Sequence, residues 1–274
     1  MNLIQKEYYL FDPIQFKEFG YKFYEGSGFY FRYQLSKKLF REHTYIPFGP
    51  NCETKQGFLN FLEHIDKIGK VTIDLPMIYC EETKREVINM LEKKGFKKTS
   101  YIHQDEETII INKDEFKISS KLRNKINHGH GVSNIVIKEK LNEEELSELY
   151  DIYLVSSKRI KFNPKSIDIF KKMSENSLVS LCYKDNKMIG FVFGYIFDSC
   201  SKKILMVMFT AQTDEGRDNR IGHAMHYDLF EKAFNSVDVI DFHGASRTKN
   251  RPYTSFKQEF SSNFQELPGS FTRS

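Results

Sequence analysis

Tryptophan is absent from this chain of 274 residues, and cysteine occurs only four times. Cys52, Cys80, Cys182 and Cys200 stand far apart, which excludes a disulfide scaffold or a zinc knuckle and points to a reduced compartment. Long hydrophobic runs are missing too. The opening MNLIQKEYYLFDP is broken by Lys6, Glu7 and Asp12, and no 18 uncharged apolar residues follow one another, so a cytoplasmic protein without stable membrane insertion is expected. The nucleotide loop GxxxxGK(S/T), the dinucleotide loop GxGxxG, the metalloprotease motif HExxH and the serine elbow GxSxG do not occur. His223 and His226 stand three apart without metal-site spacing, so no metal is expected. Charge of one sign is also scarce: Lys and Arg number 41 against 37 Asp and Glu. The formal net charge of +4 permits a phosphate-bearing partner and falls far short of a DNA-packaging protein.

Aromatics are abundant, with 25 Phe and 15 Tyr. Residues 21–47 read as an antiparallel meander, broken by Gly-Ser and Ser-Lys-Lys. A helix over 54–67 follows, N-capped by Thr54, then a strand over 70–75, a helix over 81–94 ended by Gly95, and a strand over 108–111. A second series is expected to comprise a helix over 115–127, a strand over 133–138 and a helix over 142–156. Pro164 then sits near the first turn of a helix reaching residue 173. Strands over 178–183, 188–197 and 204–210, a helix over 221–234 and a strand over 237–242 complete it. Residues 60–76 and 228–244 echo one another as helix, short strand and Ile-Asp. The pattern favours two α+β domains of one type, 1–114 and 115–274, with the terminal segment a candidate to return to the first.

Polar chemistry concentrates in DFHGASRTKNRPYTSFKQEF, residues 241–260. A strand leads into His243-Gly244, then a loop with Arg247, Lys249 and Arg251, then a helix-like FKQEF. Lys257, between Phe256 and Phe260, is placed to stabilise a phosphate or a developing oxyanion; the plainer reading is a snorkelling surface lysine. REHTYIPFGPN, residues 41–51, reads either as a rigid substrate loop with Arg41 at its start or as a simple connection. Arg217 and Arg220 precede a helix that starts near Gly222, where first-turn amides could bind a phosphate. Arg159 ends a helix, where it could also serve the C-terminal carbonyls. His128 and His130, flanking Gly129, read as a solvated loop.

YIPFGPN at 45–51, IHQDEETIIIN at 102–112, KLRNKI at 121–126 and the 241–260 segment together resemble the Fem family of aminoacyl-tRNA-dependent peptidyl transferases. The resemblance implies two tandem GNAT-like (acyl-CoA N-acyltransferase) domains facing across a cleft. It also implies charged tRNA as donor, a phosphate-bearing or nucleotide-linked acceptor on the way to the cell envelope, and no tightly bound cofactor. By the same resemblance Lys257 serves the acyl-transfer centre and Arg159 contacts a substrate phosphate or carboxylate. Arg41, with Lys37 and Lys38 as alternatives, is the basic residue before the Pro-Phe-Gly-Pro segment, while Phe256 and Arg247 complete the expected substrate side. Acetyl-CoA enzymes carry Arg/Gln-x-x-Gly-x-Gly/Ala before their pantetheine helix; here RDNRIG supplies Arg217 and Gly222 but has Arg220 at the middle glycine. The chain is also shorter than typical members and leaves no room for an inserted helical hairpin. Two other readings stand beside aminoacyl transfer: acyl-CoA-dependent N-acylation of an amino sugar or amino acid, and a non-catalytic RNA-binding or adaptor protein.

Overall fold

A computed structural model describes residues 22–38, 41–47, 49–52, 54–100, 107–199, 202–248 and 252–273. Alternating aromatics build the first hairpin, β1 (Lys22–Gly26) and β2 (Phe29–Lys38), around Gly28 at φ 75°. There follow β3 (Arg41–Ile46), β4 (Asn51–Cys52), α1 (Lys55–Ile65), β5 (Lys70–Asp74), α2 (Glu81–Lys93) and β6 (Lys97–Thr99). Thr54 caps α1 by accepting from the Gly57 amide at 3.0 Å. Phe58, Phe61, Leu62 and Ile65 recur at helical spacing, and all four are buried in one core with Phe31, Val71 and Ile73.

The chain continues through β7 (Glu107–Asn112), α3 (Ser120–Val132), β8 (Asn134–Lys138), α4 (Glu143–Ile160), α5 (Ile167–Met173), β9 (Ser177–Lys184), β10 (Lys187–Ser199) and β11 (Lys202–Gln212). It ends with α6 (Asp214–Asp218), α7 (Gly222–Ala233), β12 (Val239–Asp241), α8 (Pro252–Gln258), β13 (Phe264–Glu266) and β14 (Ser270–Arg273). The described strands form two sheets of seven. The first runs β1-β2-β3-β5-β14-β6 with β4 beside β2, and the second runs β13-β7-β12-β11-β10-β9-β8. β7 therefore pairs in the second sheet, and the terminal β14 lies between β5 and β6 of the first. Along β10, Phe191 and Phe193 join the core that holds Leu149 and Phe170 of α4 and α5, while Val192 joins the core that holds Ile126 and Phe230 of α3 and α7. Helices thus cover both faces of the second sheet.

Three local expectations are corrected. The helix placed over 115–127 lies at Ser120–Val132, capped by Ser119, and includes the NHGHG stretch read as a loop. Gly129 is there because a Cβ at that position would stand 2.7 Å from the Ala224 Cβ of α7. His130 contacts Asp228 at 2.9 Å. Helix α4 runs on to Ile160 and stops where Lys161 turns left-handed at φ 57°. Pro164 lies in the connection, and α5 begins only at Ile167.

Candidate active site

The terminal polar segment is organised by a buried carboxylate. Asp241, at the end of β12, is 1% exposed and accepts from the Tyr79 hydroxyl at 2.6 Å, from the Thr108 hydroxyl and from the His243 amide at 2.7 Å. Tyr79 comes from the connection between β5 and α2, so this contact joins the chain of the first sheet to the second. Beyond Asp241, His243 and Gly244 are both left-handed, at φ 50° and 68°. Their carbonyls accept from Lys257 Nζ at 2.5 and 2.6 Å. The ammonium also stands 5.0 Å from the centre of the Tyr253 ring and 5.7 Å from that of Phe242. Lys257 is thus held at a fixed point on the wall of a cavity of about 320 Å³, shared with Thr210, Gln212, His226 and Phe256.

His226 sits in the same wall, 3% exposed. Its Nδ1 lies 2.7 Å from the Gly222 carbonyl, which can only accept, so Nδ1 carries the proton. Nε2, 3.3 Å from the Thr210 hydroxyl, is then the acceptor. Burial pushes the imidazole pKa down to about 3, helped by the nearby charge of Lys257. His223 is half-buried and shifted down by desolvation, while Glu259, 3.4 Å away, pulls the other way. The two histidines therefore serve different neighbours.

A second cavity, of about 590 Å³, opens at the start of α7 and is lined by Lys125, His128, Arg217, Arg220 and Gly222. Gln212 and Phe256 line both cavities and so form the partition between them. Gly222 is the first residue of α7, which brings the positive end of that helix to the cavity. A Cβ on Gly222 would meet Gln212 Nε2 at 2.9 Å, and one on Gly216 would meet the Ile189 carbonyl oxygen at 2.3 Å. Arg220 takes φ 53°, the backbone conformation that favours glycine. Arg220 itself joins the lining of the cavity. Arg217 Nη2 is 2.5 Å from Asp214 Oδ1, and Arg159, at the end of α4, reaches the same oxygen at 3.7 Å. Helix α4 thereby comes to the rim of this cavity, which the sequence did not indicate.

Arg247 is engaged within the protein. Its Nε donates to Glu107 Oε1 at 2.5 Å and its amide to Oε2 at 2.7 Å, tying the terminal loop to β7. The side chains of Lys37, Lys38 and Arg41, all of Lys249 and Arg251, and residues 21, 48, 102–106 and 200 lie outside the described residues. One pair of cations escaped the sequence reading altogether. Arg32, 7% exposed on β2, donates Nε to the Pro47 carbonyl at 3.3 Å. Its charge adds to desolvation in holding Lys165 below the usual lysine range. Lys165 follows α4, with its amide on the Tyr153 hydroxyl at 3.1 Å and its carbonyl accepting from Tyr150 at 3.0 Å.

No protein-family model matches the sequence, and no curated protein matches it. Solved structures do. FemX superposes with a TM-score of 0.69 over 95% of this chain and 90% of its own, at 14% identity. The chain has the FemX fold. L-PGS from Bacillus licheniformis shares it, with a TM-score of 0.68 at 13% identity over 93% of this chain and 85% of its own. So does the C-terminal domain of a proposed lysylphosphatidylglycerol synthetase from Agrobacterium fabrum, at 0.70 and 8% identity, over 93% and 84%. At these identities the likeness concerns architecture: the FemX fold here is an α+β protein of two sheet-bearing, GNAT-like units. Among the described residues no helix is long and apolar enough to cross a membrane.

Proposed function

We propose that this chain transfers an aminoacyl group from charged tRNA to an amine on a phosphate-bearing, envelope-related acceptor. The observation that carries the reading is the fixed ammonium of Lys257 in a cavity that shares Gln212 and Phe256 with a basic cavity at a helix start. The Fem-like segments and the fold shared with FemX and L-PGS support it, and the name of the lysylphosphatidylglycerol synthetase that shares the fold denotes an aminoacyl product. In this architecture β7 opens the second domain, and β14 belongs to the first.

The tRNA ester is already activated, so the protein's work is alignment and charge stabilisation. The acceptor amine attacks the ester carbonyl, forming the C–N bond and a tetrahedral oxyanion. Collapse breaks the ester C–O bond, and the ribose oxygen leaves with the proton surrendered by the amine. Two N–H bonds of Lys257 are fixed on backbone carbonyls; the ammonium is therefore positioned before the oxyanion appears, and little reorganisation is needed when it does. His226, neutral and of low basicity, holds Thr210 and the wall in place. Arg217, Arg220 and the start of α7 take the phosphates at the RNA end, while Arg32 and Lys165 take the acceptor phosphate. Phe256 packs against the reacting groups from the partition.

Acyl-CoA is the competing donor, favoured by the glycine-type backbone retained at residue 220. The guanidinium that Arg220 adds to that loop favours RNA. Mass spectrometry of metabolite extract incubated with the protein plus charged tRNA or acyl-CoA tests the choice. An aminoacyl mass gain abolished by ribonuclease is expected; a gain seen only with acyl-CoA would overturn the donor assignment.

A further inference from the structure

Segment 155–165, VSSKRIKFNPK, ends α4 and contains four cations, Lys158, Arg159, Lys161 and Lys165, with no acidic residue. Three of its apolar side chains face solvent: Val155 is 56% exposed, Ile160 65% and Phe162 37%. These three account for most of the large hydrophobics exposed among the described residues, where only Leu35 and Tyr253 join them. Lys158 and Lys161 are exposed beside them, and neither has an ion-pair partner among the described residues. The tip is well held. The amides of Lys161 and Phe162 both return to the Ser157 carbonyl, and the Phe162 ring packs 5.4 Å from Tyr153.

We infer that this tip is a docking surface for an anionic phospholipid bilayer. Burial in the interfacial region would remove Val155, Ile160 and Phe162 from water, while the lysine stems let their ammonium groups reach anionic headgroups. The pattern fits a bilayer better than nucleic acid, because phosphates offer nothing to two exposed aliphatic side chains. It fits a bilayer better than a second copy as well: a two-fold interface would set the same cations against each other. Tyr153, which supports Phe162, also accepts from the Lys165 amide, so the tip adjoins the Arg32–Lys165 pair. The docking surface stands independently of the transfer reading, and its test needs no turnover.

Flotation of the full chain with vesicles of phosphatidylglycerol and phosphatidylcholine, against phosphatidylcholine alone, provides the test. Binding to the anionic vesicles that weakens as salt is raised is expected, with little binding to the neutral ones. Replacing Ile160 and Phe162 together by Ser should lower partitioning about tenfold or more. Lys158→Gln with Lys161→Gln should lower it and flatten the salt dependence. All four positions are exposed, so thermal melts should match the parent; Ile160→Ser alone serves if a double variant folds poorly. The inference is overturned if the parent ignores anionic vesicles or if the apolar double variant floats as well as the parent. It is equally overturned if that variant instead loses tRNA binding or self-association while its vesicle binding is unchanged.

Discussion

At the scale of single residues, burial decides which titratable groups can do chemistry. His226 has its pKa lowered to about 3 by desolvation, whereas in the unfolded chain it titrates near the ordinary value of 6.5. The unfolded state therefore takes up a proton that the folded state refuses as pH falls below that value. Stability attributable to His226 is present above pH ~6.5 and is lost progressively towards pH 3. His226→Gln should flatten this part of the stability profile, measured by urea unfolding at a series of pH values. The two cation clusters make separable predictions. Arg159 already shares Asp214 with Arg217 at the rim of the basic cavity, whereas Lys165 sits beside Arg32. Lys165→Met should weaken binding of a phosphate-bearing acceptor by roughly 1.5–3 kcal/mol, the range for a hydrogen bond to a charged group. Arg159→Ala should weaken it less. Calorimetry at fixed salt measures both, and the reverse order would transfer the acceptor role to Arg159.

At the scale of elements, the loop before α7 and the terminal strand carry the informative contrasts. Arg220 holds a left-handed backbone that costs a non-glycine residue roughly 1–2 kcal/mol. Arg220→Gly should therefore preserve or slightly raise thermal stability while it weakens binding of charged tRNA, read by filter binding at several salt concentrations. Unchanged RNA affinity would remove Arg220 from the donor site. The terminal β14 is fastened by Arg273, which donates to Asp66 Oδ1 at 2.5 Å and to the Ile65 carbonyl at 2.6 Å. Hydrogen bonding from Lys94 and then from Arg273 holds the Asp66 carboxyl below its ordinary range, against a desolvation effect of opposite sign. A depressed folded-state value means that this anchoring is present above pH ~4 and fades as pH falls through the folded value. Hydrogen exchange in Ser270–Arg273 should accelerate on acidification relative to β5, after correction for intrinsic rates, and Asp66→Asn should remove that extra acceleration.

At the scale of the whole molecule, the parts legible in the sequence are those with a strong local period. Phe58, Leu59, Leu62 and Ile65 announced α1, although Phe61 rather than Leu59 completes its buried face, and the long apolar runs announced β9, β10 and β11. The α+β character and GNAT-like architecture expected from motif order agree with the shared fold. What escaped depends on contacts between distant residues. Strands β13 and β14 are three and four residues long, too short to show alternation, and exist because β7, β5 and β6 supply their partners. NHGHG resembles a loop locally, yet it is helical because Gly129 lets α3 approach α7. Lys257 stood out through its aromatic neighbours, but its carbonyl cradle depends on Asp241, on Tyr79 from the other unit and on two left-handed residues. Arg32 and Lys165 are remote in sequence, and nothing around either one signals the other.

The account turns on whether that cradled ammonium acts during transfer. Lys257→Met keeps an unbranched apolar stem in α8 and removes the ammonium together with its two hydrogen bonds to the His243 and Gly244 carbonyls. Steady-state turnover from charged tRNA at saturating acceptor and constant ionic strength is the direct measurement. A fall in kcat of roughly 10²-fold or more is expected, with little change in acceptor KM and a lowered melting temperature from the two lost carbonyl contacts. A raised KM with kcat restored at saturation would make Lys257 a ground-state phosphate contact, and turnover and KM equal to the parent's would contradict the account.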